Sequence, residues 1–391
     1  MGSILILLFL FVVATVLVRG QLIKSINAIT TTPLLIGLGY LLSPQVLGIA
    51  LPSLIEGLVP ALRLAILWVA FLIGLRFTFW VLKSKNKLAL LEVSVIALLT
   101  VSFMVSVTYF WFSYQRLFFV SREQVWSLSF VVGGLISSSS FSVARQALVG
   151  FGTLYQKHKL LLMTNHDDLF SVCAVMVGLM LWPTSPEAQG SWNPMGALAS
   201  SVAVGSVLAL AVRLLIEPGR TEGVHWRLAL VGLATLGAGG AVGALANEAL
   251  VGFIFGLLLA NLYRKPMILD PILRSSEAPV RLVLYFLAGV YLEVTWPALM
   301  TALVLVSLRW IVKWGVQRVL WDGKEALLPL SAITGVSGLA LPVAFSFFLS
   351  PAGIHGADLI LSAVVLSLFL SDLVTLALWP WGKKKGGTAR D

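Results

Sequence analysis

Apolar runs of about 20 residues, the length an α-helix needs to cross the hydrocarbon of a bilayer, follow one another along nearly the whole chain. Short polar and basic segments separate them. That repetition leaves few folds open. In lipid the backbone must satisfy its own hydrogen bonds within helices or a closed barrel, and the alternating pattern of a transmembrane strand is absent. The runs predict an all-α polytopic membrane protein of about 13 transmembrane helices. The spans read as residues 3–18, 30–45, 58–82, 88–112, 124–147, 158–182, 195–216, 226–245, 248–263, 279–295, 297–320, 326–349 and 357–380. Residues 3–18 read as a retained helix rather than a cleaved leader.

Charge supports the same picture by its placement. The chain carries a net charge of +10, which in a soluble protein would point to nucleic acid. Here the basic residues fall in alternate loops: Arg19 and Lys24; Lys83, Lys85 and Lys87; Lys157 and Lys159; Arg220 and Arg227; Arg264 and Lys265; Arg318 and Lys324; and the tail from Lys383 to Lys385. The opposite loops hold almost only Arg116 and Arg122. The positive-inside rule then predicts an external N-terminus and a cytoplasmic C-terminus. The expected partner is the lipid bilayer, with residues 381–391 a basic tail beside anionic headgroups and no role for nucleic acid. The single cysteine, Cys173, excludes a disulfide framework and a cysteine-based metal site.

Within this apolar chain two adjacent acids stand out. Asp167 and Asp168 lie inside the run 160–182. A carboxylate at membrane depth costs about 2.5–3.5 kcal/mol, so an intramembrane pair is by default a functional site facing protein or water. A hard alkali cation prefers oxygen ligands, and the same carboxylate oxygen can take a proton instead. A site that holds one or the other, and faces each side in turn, exchanges them. Consecutive residues on a helix diverge by about 100°, so one aspartate is expected to meet the cation and the other a basic side chain. Arg309, in the middle of the span 297–320, is the expected partner, since an unpaired buried charge is prohibitive. Lys313, one turn further on, is expected to snorkel to the cytoplasmic interface. Asn165 could bond across a helix crossing, and His166, the residue type that titrates nearest neutrality, could sense pH; both could instead cap or line a water-filled funnel. Asp372 reads either as a second access point or as a hydrogen-bonded core acid.

The two halves of the chain resemble each other. Residues 67–77 (LWVAFLIGLRF) match 284–294 (LYFLAGVYLEV), the preceding spans correspond through Gly37 and Gly39 against Gly252 and Gly256, and the aspartate span corresponds to the one carrying Asp372. The copies, about 30–182 and 248–380, start an odd number of spans apart and are therefore expected to be inverted, the architecture of secondary transporters. The hydroxyl run Ser137 to Ser140 beside Gly133 and Gly134, and its counterpart Gly335 to Gly338 with Pro342, favour two broken helices that cross near the aspartates.

On these residues the sequence resembles the monovalent cation:proton antiporter superfamily, in its bacterial Asp-Asp branch with the sodium/hydrogen exchanger fold. A P-x-x-x-G element matches Pro33 to Gly37, F-x-x-G-L matches Phe71 to Leu75, the paired aspartates match Asp167 and Asp168, and Gly252, Gly256 and Phe286 to Gly289 match further elements. The resemblance implies a homodimer with a moving core domain and a static dimerisation domain. It further implies that Asp168 carries Na+ or K+ in exchange for H+, with no cofactor beyond the transported ions. Asp167 then pairs with the membrane-embedded basic residue, which falls on Arg309. The crossover lining falls on Ser138, Ser139, Ser140, Asn165, Gly335 and Gly338. An arginine where the branch usually has lysine favours one-for-one exchange, because arginine does not release its proton. Leu339 stands after Gly338 where the family often has an acid. A sodium-coupled symporter of an organic solute is the alternative on the same architecture.

Overall fold

The computed structural model describes residues 28–48, 52–77, 87–115, 122–139, 154–181, 194–215, 223–262, 270–320, 336, 340–349 and 357–386. Among them there are twelve α-helices and no strand. In chain order they are α1 (Ala28–Leu42), α2 (Pro52–Gly74), α3 (Lys87–Gln115), α4 (Arg122–Ser137), α5 (Leu154–Met180) and α6 (Pro194–Leu215). The remaining six are α7 (Gly223–Gly243), α8 (Glu248–Leu262), α9 (Asp270–Val290), α10 (Trp296–Leu320), α11 (Ala340–Phe348) and α12 (Ala357–Gly386). Five of these, α2, α3, α6, α10 and α12, contain stretches long and apolar enough to cross a membrane. The expected span at 3–18 and most of that at 326–349 lie outside the described residues.

The helices sort into two groups by what they touch. In the first, a panel, α2 packs on α8 and α1 on α9, with α6 and α7 completing the layer around α8. In the second, α3, α4 and α5 pack on one another, α10 packs on α3 and α12, and α11 packs on α12. We call this second group the core.

Lipid tails are as apolar as leucine, so helices in a bilayer gain little from burying apolar surface and associate through close packing at small residues. The panel is built this way. A methyl group on Gly39 of α1 would overlap the Phe286 carbonyl of α9, and one on Gly289 of α9 would overlap the Ile36 carbonyl of α1. The α2–α8 pair repeats the device: Gly74 abuts the Phe253 carbonyl, while Gly252 and Gly256 abut those of Leu67 and Phe71. Phe71 and Phe255 then stack with ring centroids 4.5 Å apart. Apart from Gly37, whose added methyl would meet open space, these are the glycines that marked the internal resemblance in the sequence, and backbone contact is what requires them.

The core meets the panel mainly through its second half. α12 packs on α1, and α11 on α2 and α8. Beyond isolated contacts, α4 does not reach the panel among the described residues, and α5 meets it only at α6, the helix that follows it in the chain. One polar hook joins the layers. Arg63 of α2 pairs through Nη1 with Glu248 Oε1 at 2.5 Å and donates through Nη2 to the Leu349 carbonyl at 3.0 Å, just beyond α11. Next to it Asn247 caps α8, its Oδ1 accepting from the Leu250 amide at 3.1 Å and from Ser346 Oγ of α11 at 3.1 Å.

Candidate ion-binding site

The site forms where α4 stops. A helix end leaves its last carbonyls without intrahelical partners, and here serine hydroxyls take up two of them. Ser137 Oγ donates to Gly134 O at 2.6 Å, Ser138 Oγ to Leu135 O at 2.5 Å, and Ser171 Oγ of α5 also to Gly134 O, at 2.7 Å. Ser138 and Ser139 continue as non-helical backbone, both buried. The expected span 124–147 is therefore interrupted at Ser137, and Ser140, Gly335 and Gly338 lie outside the described residues.

Asp167 and Asp168 sit within α5, each 1% exposed. Asp167 Oδ2 accepts from Ser139 Oγ at 2.6 Å and from Lys313 Nζ of α10 at 2.9 Å. Lys313 also donates to Ser139 Oγ, so lysine, serine and aspartate close a three-membered polar ring. The ion pair expected between Asp167 and Arg309 is thus made by Lys313. Nor does Lys313 snorkel, for it is 0% exposed.

Arg309, also 0% exposed, stands one turn away on α10 and is engaged differently. Its Nη2 donates to Ser138 O at 3.0 Å and its Nη1 to Ser371 Oγ of α12 at 3.5 Å. The reason is geometric. The planar guanidinium reaches the carbonyl-rich end of α4, where the helix dipole is negative, and the compact ammonium one turn further on takes the carboxylate. The Arg309 charge still acts on both Asp167 and Asp372.

Asn165 lies three residues before Asp168, on the same face of α5. Its Oδ1 is buried without a hydrogen-bond partner among the described residues, as is Asp167 Oδ1. Both are oxygens of the kind a hard cation seeks. Thr164, one turn before Asp168, is buried as well. His166 turns elsewhere: its Nδ1 donates to the Leu162 carbonyl at 2.8 Å, and the ring is buried. Asp372 is buried on α12, facing the Thr32 hydroxyl of α1.

Sequence reasoning assigned Asp167 the wrong basic partner and passed over Ser171 and Thr164. Their positions one turn either side of the aspartates were the available signal.

No family model matches the chain, and no curated protein sequence matches it significantly. Its fold does match a solved structure, the sodium proton antiporter MjNhaP1 from Methanocaldococcus jannaschii at pH 8. The TM-score is 0.68, and 98% of each chain is covered at 14% identity. The chain is therefore a multi-pass helical membrane protein with the fold of a cation:proton antiporter.

Proposed function

We propose that this chain is a secondary active transporter that exchanges a monovalent cation, Na+ or K+, for H+ by alternating access, with Asp168 carrying either the cation or the proton. The observation that carries this reading is the buried carboxylate pair at the unwound end of α4. Asp167 is given to Lys313, and Asp168 is turned about 100° from it by helix geometry. Asp168 and Asn165 Oδ1, on one face of α5, would supply oxygens for an alkali cation. A proton on Asp168 would cancel that charge and displace the cation.

The inverted-repeat reading, 30–182 against 248–380, has support in the reciprocal packing of α1 on α9 and α2 on α8. The end of α4 at Ser137 and the start of α11 at Ala340 are where two crossed broken helices would meet. A moving core, a static panel that dimerises, an external N-terminus and a plasma-membrane location complete the proposal. The basic partner bears on the branch and on stoichiometry. With Lys313 at Asp167, one-for-one exchange is no longer favoured, because a lysine, unlike an arginine, can release its proton within the cycle. We place the chain in the Asp-Asp branch and expect exchange that moves net charge.

The test is exchange in proteoliposomes, followed with a pH-sensitive dye on stepwise addition of Na+, K+ and Li+. Cation addition alone should restore the dye signal in the wild type, and Asp168→Asn should abolish the response. Full recovery in that variant would refute the carrier assignment, and a wild type silent to all three cations would favour a solute symporter.

A further inference from the structure

Asp372 is a buried acid that the transport reading leaves unused. It is 4% exposed, near the middle of α12, at the boundary between core and panel. The groups that face it come from several helices. From α10 comes the charge of Arg309, which Asp372 shares with Asp167. From α1 comes the Thr32 hydroxyl, which faces both the Asp372 carboxyl and the Tyr285 hydroxyl. From α9 comes Tyr285, with Arg281 and Glu277 behind it at four-residue spacing on one helix face. Helix α11 contains no ionisable residue, and the ionisable residues of α4, Arg122 and Glu123, lie at its opposite end. On α12 itself the next acid, Asp358, is about 21 Å away along the helix axis.

These residues form a line of polar groups. It starts at a partly accessible cluster, where Glu277 bonds both Arg76 and Arg281, the latter at 3.2 Å. It runs up α9 to Tyr285 and crosses to Thr32 and Asp372. From there Arg309 leads to the Ser138 carbonyl, next to the Ser139 hydroxyl that holds Asp167.

Resting on the antiport reading, we propose that Asp372 is a second protonation site of the carrier, reached along the Glu277, Arg281 and Tyr285 face of α9, whose charge tunes the aspartate pair through Arg309. A solvent proton arriving along this line adds to the Asp372 carboxylate and leaves a neutral carboxyl, with no other bond made or broken. Arg309 stays protonated throughout, so it passes on an electrostatic change and not a proton. While Asp372 is charged, it offsets the positive field of Arg309. Once it is neutral, that field falls undivided on Asp167 and Asp168 and favours their ionised state.

The test is the pH profile of exchange in proteoliposomes. Asp372→Asn should still exchange, with half-maximal activity displaced to lower pH by about one unit, the lower end of what a nearby unit charge produces. Asp372→Glu should restore the wild-type profile. Thr32→Val removes the hydroxyl that favours the charged carboxyl, so it should move the profile the same way by less. Coincident profiles for wild type and Asp372→Asn would overturn the proposal. Should Asp372→Asn not fold, a wild-type profile in Thr32→Val would overturn it equally. Independently of transport, pH-difference infrared spectra of the purified protein should contain a carboxyl band that shifts in Asp372→Glu. A spectrum identical in the two proteins would refute a titrating Asp372 even if the antiport reading failed.

Discussion

Replacing Lys313 with methionine tests the arrangement at its most sensitive point. The lysine ammonium lies 2.9 Å from Asp167 Oδ2, and the two side chains are 0% and 1% exposed. Methionine keeps much of the volume and removes the charge, leaving Asp167 buried with the Ser139 hydroxyl as its remaining donor. Stranding one member of a buried ion pair costs about 3–5 kcal/mol. At about 1.4 kcal/mol per decade this is a roughly 10²- to 10⁴-fold loss in the folding equilibrium. Asp167→Asn removes the stranded charge as well. The double variant should therefore be more stable than the single losses predict when added, by about 3 kcal/mol, the upper end of coupling between contacting residues. The assay is the unfolding midpoint in detergent for wild type, both single variants and the double variant, with Arg309→Met run in parallel. Rescue of Arg309→Met by Asp167→Asn, with no rescue of Lys313→Met, would refute the assignment of the ion pair.

Two further perturbations probe the frame around the site. Gly39→Ala or Gly289→Ala forces a methyl into a facing carbonyl and should cost about 1–3 kcal/mol in the same melting assay, whereas Gly37→Ala, whose added methyl meets open space, should melt like the wild type. Arg63→Ala should loosen α11 from the panel by removing one of its polar holds. A cysteine placed at Ser346, which is 2% exposed, should then react faster with a water-soluble thiol reagent in a Cys173→Ser background.

The parts of this fold legible in the sequence were those set by the solvent. A bilayer demands long apolar helices, so the approximate limits of the described helices follow from the apolar runs, and a carboxylate pair at that depth identifies itself by its cost. What depended on the third dimension was not legible. Arg309 and Lys313 lie one turn apart on one face of α10, and sequence ranks the more central residue as the buried one. Both are buried, and their partners were decided by where α4 stops, a contact spanning 171 residues for Arg309 and 146 for Lys313. Arg63 gave no signal at all, since Glu248 and Leu349 are 185 and 286 residues away. The glycines were visible as a repeated pattern, but the carbonyls that make them necessary belong to helices far along the chain.

The distribution of contacts between the layers bears on how such a carrier would work. A cation site that serves both sides of a membrane must lie on a part that can shift as a unit, and near a surface along which it can shift. The aspartates are on α5, and the helix end that holds them belongs to α4; beyond isolated contacts, α4 does not touch the panel and α5 touches it only at α6 among the described residues. The hold is concentrated on α11 and α12, through a carbonyl taken by Arg63, a hydroxyl bonded to Asn247 and the packing of α12 on α1. The polar contacts among these are few, whereas the α1–α9 and α2–α8 pairs of the panel are locked by glycines against backbone. Sliding along the first kind breaks a small number of hydrogen bonds; separating the second would pull helices apart over their whole length. On the proposed function the division between moving and static parts therefore falls between the two groups of helices, with Asp372 and Thr32 facing each other across it.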